Sequence, residues 1–333
     1  MSEAGDYSPG PWKGHSFASA RRDYDVHVGR SYDDAKDDSV DASSLVPNRL
    51  ESKSSSPVVI VCDVTASMGD WPATIFSKLP YLDLEGKEYL GEDMEISFCA
   101  VGDQFSDNYP LQVQDFCTGT DMKDALTSLI IEGGGGGQTN ESYDLPAAYY
   151  AFNCEIPNAV KPILIFIGDE GLYDFIDKSG AEKWAQTNVD GRMTPKTLFE
   201  TLKQKWAVYL VRKPYGSYSE SSGGDSTNRR IQGQWEELLG EDHVSMLPDA
   251  GRVVDVIFGI FAKETNRLEY FEDELKDRQR PDQVDVVLKS LHTIHKLPNP
   301  SVKKLEDHGA SMTRRSNSDK SKRSVSLLDD DDE

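Results

Sequence analysis

The stretch Val58-Val-Ile-Val-Cys-Asp-Val-Thr-Ala-Ser-Met-Gly69 decides the fold that we predict for this chain. It begins with a run of β-branched and apolar residues, which is typical of a strand buried on both faces. The run ends in Asp63, Thr65 and Ser67, three small oxygen-bearing residues at alternate positions. A carboxylate and two hydroxyls on one tight turn supply part of the oxygen shell that Mg²⁺ prefers. The stretch therefore predicts a buried strand that leads into a metal-binding turn.

The composition of the chain limits the classes of partner. The 333 residues carry a formal net charge of −22, from 58 acidic and 36 basic side chains. Such an excess of negative charge argues against a nucleic-acid backbone or an anionic membrane as the main partner. No stretch is apolar for the roughly 18 residues that a membrane span needs. We therefore expect a protein partner or a divalent cation, and neither nucleic acid nor membrane.

The four cysteines are Cys62, Cys99, Cys117 and Cys154, and no two of them form a C-x-x-C pair. Cys62 and Cys99 lie inside apolar runs, where a free thiol behaves as a small hydrophobic side chain. We expect all four to be reduced, which is typical of a cytoplasmic protein. The N-terminus has no apolar run that resembles a signal peptide, which favours the same compartment.

From Pro57 onward, apolar runs alternate with amphipathic stretches, which predicts an α/β fold with a mostly parallel central sheet flanked by helices. The predicted strands are 58–64, 94–101, 111–116, 163–167, 207–211 and 243–247. The predicted helices are 72–79, 120–131, 141–152, 180–187, 195–205, 234–239, 252–265 and 282–297. In such sheets, ligands bind at the carboxyl ends of the strands, where the turn at Asp63 lies.

The polarity of the two ends predicts the domain organisation. Hydrophobic residues make up only 37% of the chain, which is low for a wholly globular protein. Residues 1–56 form a low-complexity N-terminal arm that we expect to be extended or disordered and partly docked, and residues 57–266 form the folded domain. We expect residues 267–309 to form a helical C-terminal appendage and residues 310–333 to form a disordered, charged tail.

Two further loops offer oxygen ligands. Asp169 ends a second apolar run, and its carboxylate can accept hydrogen bonds from metal-bound water. Gly133–Gly137 precedes Thr139, Glu141 and Ser142 at a predicted helix start, and glycines let a backbone approach a site closely. The residues leave the ligand from this loop open, because Thr139 and Ser142 also fit helix capping. Glu141 would lower the positive charge of the metal and weaken its attraction for a partner carboxylate.

These segments, in this order, resemble the von Willebrand factor type A family over roughly residues 57–265. The resemblance is carried by Asp63-Val-Thr-Ala-Ser67 and the strand-terminal Asp169. The intracellular bacterial and phage branch of this family has stretches similar to Val101–Val113, to the polyglycine with Glu141-Ser-Tyr143 and to Ile167-Gly-Asp-Glu170. Thr65 stands where serine is commoner, which preserves the hydroxyl, and Gly168 stands where many members have threonine.

The resemblance implies a Rossmann-like, three-layer fold and a metal-ion-dependent adhesion site. The implied ligands are Asp63, Thr65, Ser67 and Asp169, with Thr139 or Glu141 from the third loop. The implied cation is Mg²⁺, with Mn²⁺ or Ca²⁺ as substitutes. An Asp or Glu of a partner protein would complete the metal shell, in the assembly or regulation of an intracellular complex that sometimes includes an AAA-type ATPase.

Enzymes are the rival class, and the motifs argue against them. A haloacid-dehalogenase phosphatase needs a second aspartate where this chain has Thr65, and a P-loop needs a lysine that the polyglycine lacks. Ser67 lacks the Gly-x-Ser-x-Gly frame of a nucleophile elbow. We find no nucleophile–base pair, so the chain is not expected to be an enzyme. A metal-dependent hydrolase acting at Asp63 and Asp169, and a phage or virion structural component, remain as alternatives.

Overall fold

The computed structural model describes residues 40–69, 71–79, 81–131, 139–216 and 226–295. The polyglycine Gly133–Gly137, most of the N-terminal arm and the predicted charged tail lie outside the described residues. The described part is a three-layer α/β fold, as the alternation of apolar runs and amphipathic stretches predicts.

A six-stranded sheet in the order β10-β9-β7-β2-β3-β4 forms the middle layer. Every neighbouring pair is parallel except β3 and β4, which are antiparallel. Two short parallel pairs, β1 with β6 and β5 with β8, lie outside this sheet. The strands are β1 (Leu50–Glu51), β2 (Pro57–Asp63), β3 (Glu95–Val101), β4 (Leu111–Val113), β5 (Asn140–Glu141), β6 (Cys154–Glu155), β7 (Ile163–Gly168), β8 (Gly171–Leu172), β9 (Ala207–Arg212) and β10 (Val244–Met246).

Helices cover both faces of the sheet because its central strands are apolar on both sides. All seven residues of β2 are buried. Val58, Ile60 and Cys62 point into one hydrophobic core, and Val59 and Val61 into the other, as the period of two in a strand requires. The helices are α1 (Trp71–Lys78), α2 (Tyr81–Leu90), α3 (Asp121–Thr127), α4 (Asp144–Phe152), α5 (Lys178–Trp184), α6 (Pro195–Lys203), α7 (Ser226–Leu239), α8 (Val253–Thr265), α9 (Leu268–Arg278) and α10 (Pro281–His295).

The two cores divide the helices into two layers. Helices α4, α5, α6 and α7 pack on the face of Val59, and the remaining helices pack on the face of Val58. The last helix, α10, belongs to this second group, because Val287, Leu291 and Ile294 are buried in the same core as α8. No helix in the described ranges combines the length and the hydropathy that a membrane span requires.

Part of the N-terminal arm is docked on the domain. Val46 and Leu50 are buried in one hydrophobic core, and β1 pairs with β6 beside the end of α4. The hydroxyl of Tyr149 donates to the carbonyl of Pro47 at 2.8 Å. The residues that immediately precede the first strand of the six-stranded sheet therefore cover one flank of the domain.

None of the four cysteines, all of which lie in the described residues, forms a disulfide, and Cys117 is the most exposed of them.

Helix α2 was not predicted, and α9 lies in the predicted helical appendage 267–309, of which only 282–297 was assigned to a particular helix. Helix α2 contains Gly86, a weak helix former, and α9 buries only Phe271 and Leu275 on an otherwise charged surface. The glycine lowers the helix propensity of the first stretch, and the second has too few apolar residues to show a clear helical period of hydrophobicity. The predicted strand 111–116 is shorter than expected, because β4 ends at Val113.

Candidate functional site

Three loops meet at the carboxyl edge of the sheet. In the pairing of β2 with β7, Cys62 lies opposite Ile167, so Asp63 and Asp169 leave adjacent strands at nearly the same level. The third loop is held there by the pairing of β5 with β8, in which Glu141 lies opposite Leu172. Because β8 directly follows Asp169 and Glu170, this short pairing brings the residues after the polyglycine to the two aspartates.

The turn after β2 is closed by hydrogen bonds among its own oxygen-bearing side chains. The backbone N–H and the hydroxyl of Thr65 donate to Oδ1 of Asp63 at 2.9 and 2.6 Å. The hydroxyl of Ser67 lies 3.1 Å from that of Thr65 and donates to Oδ1 of Asp169 at 2.8 Å. Gly69 ends the turn with a φ of +56°, a backbone conformation that glycine adopts without a steric cost. The structure thus joins Asp63, Thr65, Ser67 and Asp169 in one network.

Tyr143 is part of this network, and the sequence analysis did not assign it to the site. Its hydroxyl donates to Oδ2 of Asp63 at 2.6 Å, and its ring lies edge-on to Trp235 with a centroid distance of 5.1 Å. A Cβ at Gly168 would come within 1.9 Å of the Tyr143 hydroxyl. The glycine at this position is therefore explained by the close approach of Tyr143.

The third loop offers three candidate ligands, and they face different neighbours. Glu141 is buried, and its carboxyl group interacts with Asp63. The hydroxyl of Thr139 accepts a hydrogen bond from the guanidinium of Arg230 at 2.5 Å. The hydroxyl of Ser142 accepts one from the backbone N–H of Gln104 at 3.0 Å. Of the three, Glu141 is therefore the candidate that lies near Asp63.

Four acids form a carboxyl cluster at this edge, consisting of Asp63, Glu141, Asp169 and Glu170, and each is at most 3% exposed. Burial and the charge of Asp169 raise the pKa of Asp63 to about 7. Burial and the charge of Asp63 raise the pKa of Glu141 to about 12 and that of Glu170 to about 8. The cause is physical: closely spaced carboxylates in a poorly solvated interior repel each other and retain protons.

Lys213 supplies a positive charge to the carboxyl cluster. Its ammonium donates to Oδ2 of Asp169 and to the backbone carbonyl of Ser67, each at 2.7 Å. Glu170 and Lys213 were also missed by the sequence analysis. A signal for both existed, because Glu170 follows the last aspartate and Lys213 is the first residue after the neighbouring strand β9. Residues at the carboxyl ends of adjacent parallel strands meet at one edge.

The donors at this edge suit a hard cation better than a soft one. Within the described ranges, no three His, Cys, Asp or Glu side chains are grouped so as to hold a metal ion. The available oxygens come instead from two aspartates and two hydroxyls, with Glu141 beside them. The carboxyl groups of Glu141 and Glu170 are buried and lie within hydrogen-bond reach of each other. Oxygen donors and surplus acid fit a divalent cation such as Mg²⁺.

Three aromatic side chains border the site, the exposed Phe105 and Phe175 and the half-buried Tyr173, and we call them the aromatic rim. Phe105 is 53% and Phe175 54% exposed, and the ring of Tyr173 lies 5.0 and 5.8 Å from theirs. The hydroxyl of Tyr173 donates to Asp103, which also accepts a hydrogen bond from Ser142 of the third loop. The rim is therefore anchored to the loop that carries Glu141.

Comparison with known proteins finds similarity in solved structures alone. Two crystal structures of the pilus adhesin SpaC from Lactobacillus rhamnosus GG, one in an open conformation, match with TM-scores of 0.41 and 0.42. Sequence identity is 11% and 12%, over 70% and 72% of this chain. The matches cover 32% and 31% of the adhesin, so the chain spans about a third of its length. No protein-family profile and no curated protein matches the sequence.

Proposed function

We propose that this chain is a divalent-metal-dependent protein-interaction module of the von Willebrand factor type A family. The observation that carries the proposal is the hydrogen bond of 2.8 Å between Ser67 and Asp169, which links the turn after β2 to the loop after β7. Residues 102 positions apart in the sequence thereby present hydroxyl and carboxylate oxygens side by side. The proposed role is the assembly or regulation of an intracellular complex.

Asp63, Thr65, Ser67 and Asp169 would hold the metal, and Glu141 is the proposed ligand from the third loop. The metal would supply an electrophilic centre for an Asp or Glu of the partner. The protein residues prepare this site in three ways. Tyr143 and Thr65 orient the carboxylate of Asp63, Ser67 orients that of Asp169, and burial keeps water away from both aspartates.

The aromatic rim supports a protein as the partner. Phe105 and Phe175 are among the most exposed large hydrophobic side chains in the described residues, and they stand beside the acids of the site. Exposed aromatic side chains are enriched in protein–protein interfaces, where they bury a large area at a low entropic cost. A partner segment with an acidic residue next to an apolar one fits this combination.

Calorimetric titration of the full chain with Mg²⁺ and Mn²⁺ tests the metal. We expect one ion per chain, and loss of binding in Asp63→Ala. Asp144→Asn is the matched control, because Asp144 is equally buried but is not a proposed ligand. Absence of binding by the natural chain, or equal binding by Asp63→Ala, would refute the metal site.

A partner is tested separately, by pull-down with and without EDTA. We expect EDTA and Phe105→Ala each to reduce the recovery of a specific partner. EDTA removes the metal, and the substitution removes part of the apolar surface.

The competing hydrolase hypothesis predicts a different result. Turnover of phosphoesters that is lost in Asp63→Ala would favour that hypothesis over an interaction module.

A further inference from the structure

Lys213 occupies a position that an interaction site built around a metal does not require. The ammonium reaches the carboxyl cluster at two points, Oδ2 of Asp169 and the carbonyl of Ser67, both at 2.7 Å. Oδ1 of Asp169 already accepts the hydroxyl of Ser67. Both oxygens of this aspartate are therefore engaged by groups of the protein itself, and one of those groups is a cation.

The position of Lys213 is imposed by the backbone. In the pairing of β7 with β9, Gly168 lies opposite Arg212, and the pairing continues because the N–H of Lys213 donates to the carbonyl of Gly168 at 2.9 Å. Lys213 thus emerges beside Asp169. Its side chain is only 14% exposed, so the ammonium is held in the site by its surroundings, unlike that of a solvated surface lysine.

We propose that Lys213 is a built-in counter-cation that competes with the divalent ion for Asp169 and so sets the affinity of the site. The inference rests on the proposed metal site. A second cation at Asp169 meets like-charge repulsion from the ammonium, and it shares a carboxylate whose charge is already partly neutralised. In the absence of metal, the same ammonium relieves the repulsion among the four acids of the carboxyl cluster.

Removal of the positive charge of Lys213 should therefore tighten metal binding. We expect Lys213→Met and Lys213→Gln to bind Mg²⁺ at least ~10-fold more tightly than the natural chain, as the loss of one nearby unit charge predicts. Lys213→Arg keeps the charge and should therefore bind Mg²⁺ more weakly than either neutral variant. Lys205→Met is the matched control, because Lys205 is also partly buried and donates to the carbonyls of Ala151 and Cys154, away from the carboxyl cluster.

Thermal unfolding of the same proteins in EDTA and in Mg²⁺ provides a second readout. Without metal, the neutral Lys213 variants should unfold at a lower temperature than the natural chain, because the acids have lost their counter-charge. Added Mg²⁺ should raise their unfolding temperature by more than it raises that of the natural chain. Circular dichroism verifies that each variant is folded before the titrations are compared.

The outcomes separate this inference from the proposed function. If the natural chain binds Mg²⁺ and the neutral variants bind it equally or more weakly, Lys213 is not a competitor, and the metal site stands. If only the neutral variants bind Mg²⁺, the lysine has replaced the metal, so the inference holds and the proposed function of the natural chain fails. If no folded variant binds Mg²⁺ or Mn²⁺, both are overturned.

Discussion

Without bound metal, the protein should lose stability as the pH rises, and Asp63 should account for a defined part of the loss. Asp63 is fully buried and its pKa is about 7 in the folded protein, against 3.8 for an ordinary aspartate. The folded state therefore binds this proton more tightly than the unfolded state. The resulting stabilisation is complete below about pH 4 and is lost as the pH rises through about 7.

The size of the loss follows from the pKa difference. A shift of roughly three pKa units corresponds to about 4 kcal/mol, at 1.36 kcal/mol per unit. Glu141 and Glu170 act in the same direction, because their pKa values are also raised. The contribution of Asp63 is therefore obtained as the difference between the natural chain and Asp63→Asn, in which no proton can be bound.

The assay is urea unfolding in EDTA from pH 4.5 to pH 8. Asp63→Asn should show a decline that is smaller by about 3 kcal/mol than that of the natural chain, because part of the stabilisation is already lost at pH 4.5. Asp144→Asn serves as a comparison, because burial also raises the pKa of Asp144 to about 7, and the double variant should combine both effects. In the natural chain at pH 8, Mg²⁺ at a hundredfold excess over its Kd should restore about 2.7 kcal/mol.

One result would refute this reasoning. If Asp63→Asn and the natural chain decline equally between pH 4.5 and pH 8, Asp63 does not carry a raised pKa. The carboxyl cluster would then be better solvated or better neutralised than the contacts with Thr65, Tyr143 and Asp169 indicate.

Three further substitutions test the contacts that shape the site and the core. Tyr143→Phe should lower stability by about 2 kcal/mol at pH 8 and weaken Mg²⁺ binding, because the ionised carboxylate of Asp63 then no longer accepts the hydrogen bond from Tyr143; unchanged calorimetric affinity would contradict this. Gly168→Ala should cost about 3 kcal/mol in urea unfolding, since its methyl group would meet the Tyr143 hydroxyl. Arg252→Met should cost about 4 kcal/mol, because Asp255 is buried beside it at 3.3 Å, and Asp255→Leu in the same chain should recover part of the loss.

The fold was predictable wherever one segment carries a strong pattern. The run that begins at Val58 is buried along its whole length, as its apolar character predicts. The apolar runs of β7 and β9 are likewise almost entirely buried. The prediction was less specific where tertiary contacts support a weak local signal, as in the predicted helical appendage. Helix α9 buries only Phe271 and Leu275, so its charged sequence shows little of the core that it contacts.

The sequence by itself determined the α/β class, the turn with Asp63, Thr65 and Ser67, and the second buried strand that Asp169 directly follows. These follow from local periodicity and residue chemistry. Only the tertiary structure brought the third loop to these residues, because β5 pairs with β8 and buries Glu141 where it interacts with Asp63. It likewise decided the contacts of Tyr143 and Lys213, since these depend on strand register and helix packing between segments far apart in the chain.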